Sequence, residues 1–211
     1  MHYYYGLEHK DKFQQLFGKY YIGQHPTPSA NSYLVLSLSF SSIHTDTAEL
    51  TLAGFVRNVK FGVQALMANH PTLFAKEDWE AAGRQQMPSD LISFLLTTIK
   101  KKNIAHKLYV LIDEYDHFAN ELLAFVFSNF KNIVSKNGYV RKFYEALKEG
   151  THLGIIDRMF ITGVTPITLD SLTSGFNISA KLTTDIRFNE LFGFTEEEVI
   201  AVLKGLSLIH I

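Results

Sequence analysis

The apolar residues of this chain change period several times, and each change marks an element. Tyr33-Leu34-Val35-Leu36-Ser37-Leu38-Ser39-Phe40 opens as a continuous apolar run and then alternates. That pattern predicts a strand with Leu36, Leu38 and Phe40 on one face. From about Thr47 to Asn69 the period becomes helical, with Leu52, Phe55, Val56, Val59, Val63, Leu66 and Met67 in register and Pro71 as a stop. Pro88-Ser89-Asp90 supplies a good N-cap residue for a second helix, whose buried stripe is Leu91, Ile92, Leu95, Leu96 and Ile99. Lys100-Lys101-Lys102 fall in its last turn, where positive charge suits the helix dipole, and read as a solvated end rather than a phosphate contact.

Leu108-Tyr109-Val110-Leu111-Ile112 is apolar without alternation, as in a strand covered on both faces within a parallel sheet. Phe118 to Val134 follows as an apolar helix, and Arg158-Met159-Phe160-Ile161-Thr162 as a third strand ending in Gly163. A short strand is expected near Phe188 to Phe192. Thr195 before Glu196-Glu197-Glu198 has the form of a helix start. The first 30 residues are aromatic-rich and irregular, with a helical turn over Asp11 to Phe17 that buries Phe13, Leu16 and Phe17, and a loop over Gly23 to Pro28. Strands separated by long helices define an α/β fold with a mostly parallel sheet.

Composition narrows the function classes. The 211 residues are 46% hydrophobic and 19% charged, which excludes a disordered, collagen-like or coiled-coil chain. Lys+Arg 20 against Asp+Glu 21 disfavours direct nucleic-acid binding through bulk positive charge. The absence of cysteine excludes disulfides, thiolate zinc sites and cysteine nucleophiles. No apolar run approaches the ~18–20 residues of a membrane span, and Met1-His2-Tyr3-Tyr4-Tyr5 lacks a signal-peptide layout. The expectation is a cytoplasmic protein with no membrane partner.

The chemistry concentrates after the second strand, in Leu108 to Ile112 followed by Asp113-Glu114. In open α/β sheets ligands bind at the carboxyl ends of strands. Two adjacent acids buried there would cost several kcal/mol without compensation, and a divalent cation is the usual one. This is the layout of a Walker B motif, where the Asp holds Mg²⁺ and the Glu orients or deprotonates the attacking water. At the tip of the third strand, Thr162 and Thr165 are candidate γ-phosphate or water sensors. A capping role suits either threonine equally. Arg158 and Arg187 are weaker candidates for charge stabilisation, set against surface ion pairs. The nine histidines are scattered, without His-Glu-x-x-His or close pairs, and His117 beside Asp116 reads as a solvent-facing or capping residue. No Gly-x-Ser-x-Gly elbow is present. No Gly-x-x-x-x-Gly-Lys-Ser/Thr loop is present either: Gly18-Lys19 is followed by Tyr20 and lacks the upstream glycine.

At these residues the chain resembles a known family. Leu111-Ile112-Asp113-Glu114-Tyr115-Asp116 and Phe160-Ile161-Thr162-Gly163-Val164-Thr165 are similar to the AAA-ATPase-like proteins. So are Leu16-Phe17-Gly18, Tyr21-Ile22-Gly23, the strand Tyr33 to Phe40, Ser171-Leu172-Thr173-Ser174-Gly175-Phe176-Asn177, Arg187-Phe188-Asn189-Glu190 and Phe192-Gly193-Phe194-Thr195-Glu196-Glu197-Glu198.

The resemblance implies a P-loop NTPase of the ASCE/AAA-like type, a three-layer α/β/α domain over residues 1–205 that uses ATP and Mg²⁺. It makes Asp113 the metal-side acid, Glu114 the catalytic acid that activates water, and Thr162 or Thr165 the nucleotide-binding sensor. Bacterial members often carry a C-terminal PD-(D/E)XK nuclease-like domain, so a nuclease-like partner domain is implied for the parent. Members place their Gly-Lys-Ser loop just upstream of the segment matching Met1 to Gly23. The expectation is therefore an N-terminally truncated domain without its Walker A strand, itself inactive, with the second strand flanked by the first and third and an open edge on the third. The alternatives are a degenerate, nucleotide-switched interaction module and an ATPase module that accompanies a nuclease domain. Leu206-Ser207-Leu208-Ile209-His210-Ile211 coincides with one reading frame of a transposase mosaic-end adapter and is expected to be an artefact outside the domain.

Overall fold

The computed structural model describes residues 1–116, 138–164, 178, 180, 182, 183, 185–188 and 193–207. Three parallel strands, β1 (Leu34–Ser39), β2 (Leu108–Asp113) and β3 (Ile156–Ile161), pair in the order β1-β2-β3. The central strand is therefore the one that ends in the acid pair. β3 pairs on one side only among the described residues.

Alternation along these strands separates two faces. Leu34, Leu36 and Leu38 of β1 and Leu108, Val110 and Ile112 of β2 enter one large core. That face is covered by α4 (Ala48–Asn69), α6 (Pro88–Lys101) and α7 (Tyr139–His152), with α5 (Lys76–Gly83) packed on α4. Phe40 stacks on Phe55 of α4 at 4.4 Å between centroids, and Phe143 of α7 meets Phe55 edge-on at 5.2 Å. Thr47 caps α4 by accepting the Leu50 N–H. The expected stripe of α6 is buried throughout. Its start differs from expectation: Met87 holds the cap position, Pro88 is the first helical residue, and no side chain caps the helix. Proline suits that position because its missing N–H would be an orphan there anyway.

The second face is smaller and aromatic. Tyr33 and Val35 of β1 and Tyr109 of β2 pack with Tyr5, Leu111 and Phe160. Tyr5 belongs to α1 (His2–Tyr5), which packs against β1. The N-terminal segment is more regular than its composition implies. A 3₁₀ turn over Leu7–Lys12 leads into α2 (Phe13–Phe17) and α3 (Tyr21–Gln24), so the loop begins at His25 rather than Gly23. A Cβ on Gly23 would lie 1.9 Å from the Phe17 carbonyl oxygen, so only glycine lets α2 and α3 approach this closely. Phe13, Leu16 and Phe17 are half-buried. Asn31, at φ 46°, ties the segment to the sheet by donating to the carbonyls of Tyr3 and Gly6.

The chain divides into two units, Met1–Asn177 and Ile178–Ile211. In the second, Ile186–Phe188 forms a 3₁₀ turn, so Phe188 is not in a strand, and 189–192 lie outside the described residues. Its helix α8 (Glu196–Ser207) starts as expected: Thr195 Oγ1 accepts the Glu198 N–H while Glu198 accepts the Thr195 N–H. The helix predicted over Phe118–Val134 and the stretch Ser171–Asn177 lie outside the described residues.

Candidate functional site

The site begins with register. β1 and β2 pair Ser39 with Asp113. β2 and β3 pair Leu108 with Ile156 but Tyr109 with Arg158, so Asp157 is an extra residue, a bulge. Beyond it Ile112 pairs with Ile161, which brings Thr162 beside Asp113. Without the bulge Ile161 would occupy that place, and the side chain beside the acid would be apolar. Tyr33 fixes the bulge by donating its hydroxyl to Asp157 Oδ2 at 2.5 Å, and Arg158 Nε donates to the same hydroxyl at 3.2 Å.

Ser39, Asp113 and Thr162 thus form one polar row across the carboxyl ends of three parallel strands. The Thr162 hydroxyl donates to Asp113 Oδ1 at 2.5 Å. Ser39 Oγ lies 3.1 Å from Ser41 Oγ. The row opens on a cleft of about 610 Å³ whose walls include Ser37, Ser41, Ser42, Asn58 and Phe61. Asn58 of α4 donates to the Ser39 carbonyl, and Arg57 donates to the Ser42 carbonyl at the rim.

Two expectations about the acids change. Asp113 is exposed rather than buried, because the strand ends there and the side chain stands on the cleft face. No desolvation penalty then demands a counter-ion. Glu114 is half-buried at φ 53°, and it is not among the described residues that line the cleft. A left-handed glutamate stores roughly 1–2 kcal/mol of strain. The turn it makes sends Tyr115 and Asp116 back into the protein, both buried.

The same turn locks the tip of β3. Tyr115 N–H donates to the Thr162 carbonyl, and the Val164 N–H is 3.1 Å from each Asp116 carboxylate oxygen. A Cβ on Gly163 would sit 2.3 Å from the Tyr115 ring and 2.4 Å from Asp116 Oδ1. Asp116 and Gly163 therefore place Thr162. Their proximity is invisible in linear spacing, as are the contributions of Ser39 and Asn58.

The remaining candidates separate. Thr165 and His117 lie outside the described residues. Arg158 stands about 13 Å down β3 from Thr162, at roughly 3.3 Å per residue, and engages Tyr33 and Asp157. It is remote from the acid row. Arg187 is paired with Asp185. Lys102 forms an ion pair with Asp78 rather than a free basic end.

The donor set of the row is all oxygen: one carboxylate and two hydroxyls. That suits Mg²⁺, a hard cation that keeps several waters and takes one or two carboxylates. It does not suit a triphosphate alone, since no lysine, arginine or histidine is among the described residues lining the cleft.

The fold and row define the class: a parallel α/β protein with an acid at the end of its central strand and a threonine hydroxyl beside it. The family described as predicted AAA-ATPase matches residues 1–173, and the chain belongs to that family. No curated protein and no solved structure matches the chain significantly. Among the described residues no helix is long and apolar enough to cross a membrane.

Proposed function

We propose that the Ser39–Asp113–Thr162 row is the metal and γ-phosphate side of an ATP site in an ATP-hydrolysing protein. The observation that carries this reading is the Asp113–Thr162 hydrogen bond at the mouth of the cleft. Family membership supports nucleotide use in general. In this reading Asp113 holds Mg²⁺, which neutralises phosphate charge when bound. Thr162 fixes one carboxylate oxygen of Asp113 and senses the γ-phosphate, with Thr165 as the second sensor candidate. Glu114 orients or deprotonates the attacking water.

The sequence has no Gly-Lys-Ser/Thr loop, and no lysine or arginine is among the described residues that line the cleft. The 211 residues alone are therefore expected to bind ATP weakly and turn it over poorly. The same observation favours a second reading, a degenerate module in which nucleotide only changes shape or recruits a partner. A third reading, an ATPase module accompanying a nuclease-like domain, rests on resemblance alone.

The test is ATP turnover by the protein as the cell makes it. Mg²⁺-dependent hydrolysis that falls by about 10²-fold or more in Glu114→Gln, with nucleotide binding retained, supports the enzyme. Binding without turnover moves the protein to the switch reading. Nucleotide binding indifferent to Asp113→Asn overturns the site.

A further inference from the structure

Histidines that are scattered in sequence converge at the N-terminal edge of the sheet. His2 lies on α1, Glu8 and His9 on the 3₁₀ turn Leu7–Lys12, and His70 at the C-terminal cap of α4. We propose that His2, Glu8 and His9 form a binding site for a divalent transition ion of the zinc type, with His70 supporting the carboxylate from behind.

Glu8 Oε1 lies 2.6 Å from His2 Nε2 and 3.9 Å from His9 Nε2. One ligand atom from each of the three residues lies within 4.8 Å of the others. Tetrahedral zinc with bonds of about 2.0–2.1 Å needs ligand atoms roughly 3.3–3.4 Å apart. The two separations from Glu8 bracket that value, so small side-chain rotations would bring the ligand atoms to bonding geometry. Two imidazoles and a carboxylate are three protein ligands, which leaves a fourth position for water or another ligand. With no cysteine in the chain, imidazole and carboxylate are the donors such an ion would use.

Glu8 itself is unusual. Its Oε2 is inaccessible to solvent and has no hydrogen bond of good geometry, the His70 ring nitrogen standing 3.4 Å away. A Cβ on Gly6 would lie 2.7 Å from that oxygen, so the missing side chain of Gly6 makes room for the carboxylate. The carboxylate thus has His2 and His9 on its Oε1 side and His70 on its Oε2 side, and a buried oxygen left without a good hydrogen bond is costly.

The surroundings also suit metal ligation. His2 Nδ1 is 3.0 Å from Ser37 Oγ, and a donor bond in that direction leaves Nε2 as the ligand atom. The His9 ring packs on Tyr3 at 4.4 Å. An ion here would pin α1 to the sheet. Because Ser37 also lines the cleft, it would brace one cleft wall as well.

The experiment is calorimetric titration of the metal-stripped 211-residue chain with Zn²⁺ alone, followed by Co²⁺ for its visible d–d absorption. We expect one equivalent bound, with Glu8→Gln and His9→Gln each weakening binding at least about tenfold. Tetrahedral-type Co²⁺ bands should appear in the unmodified chain and vanish in both variants. His106→Gln, at an exposed histidine elsewhere, should leave the titration unchanged. Should Glu8→Gln fail to fold by circular dichroism, the partly exposed His9→Gln decides alone. Absence of saturable Zn²⁺ uptake overturns the proposal, as does uptake that survives His9→Gln.

Discussion

Leu34, Leu36 and Leu38 of β1 face α4 and its neighbours, whereas Val35, Ser37 and Ser39 of the same strand face the N-terminal segment and the cleft. The first face is dry, apolar along its length and closed by three long helices. The second begins as a tyrosine cluster and ends as a polar row open to solvent. One strand set thus supplies a stabilising surface and a reactive edge. The division runs through the period of two, so substitutions one residue apart should have unrelated effects.

The largest effect is expected on the dry face. Phe55 is fully buried between Phe40 and Phe143. Phe55→Ala should cost about 3–5 kcal/mol in denaturant unfolding. A value below 1 kcal/mol would show that the two faces are not distinguished in this way. Gly163→Ala tests the tip of β3 between the faces. Its Cβ would overlap Tyr115 and Asp116, and overpacking of this kind should cost about 1–3 kcal/mol and disturb Thr162. Thermal unfolding and the amide shifts around Thr162 check it.

Tyr33→Phe removes the hydroxyl that holds the Asp157 bulge. A loss of about 1 kcal/mol is expected, since Asp157 is exposed and water replaces part of the bond. Hydrogen exchange should rise at β3 amides while the core amides of α4 hold.

The smallest expected effect is a pH dependence at the N-terminal edge. His9 has a lowered folded-state value, so folding favours its neutral form. Its contribution is present above the unfolded value of about 6.5 and is lost as pH falls below it. Glu8 is depressed, so its contribution is present above about 4.3 and is lost as pH falls toward its folded value. The charged groups that act on this pair are His2, His70 and Lys12. Midpoints measured from pH 7.5 to 5.5 should decline less in His9→Gln than in the unmodified chain. Equal slopes would remove His9 from the account.

Much of the fold was legible. A continuous apolar run placed β2, alternation placed the core residues of β1, and helical spacing placed the stripes of α4 and α6. These patterns are local, so they survive in a linear reading. The Asp113–Thr162 contact was only half legible. Both residues were candidates by position at strand ends, but their adjacency depends on the Asp157 bulge, and a bulge has no periodic signature. Asp113 was expected to be buried, because the apolar run before it says nothing about where the sheet stops. The cluster around Glu8 could not be read at all. His2 and His9 are brought together by the turn at Gly6 from α1 into the 3₁₀ segment, and His70 joins them from the end of α4, so no spacing rule connects the three.

The central claim is that Asp113 and Thr162 mark the metal side of a nucleotide site. Paramagnetic broadening of backbone amides by Mn²⁺ in the presence of ATP tests it most directly, with the unmodified chain compared with Asp113→Asn. Asp113 is exposed, so this substitution should change stability by less than about 0.5 kcal/mol. The account predicts broadening centred on Ser39, Asp113 and Thr162 that disappears in the variant. Broadening that spares this row, or that persists unchanged in Asp113→Asn, would contradict it.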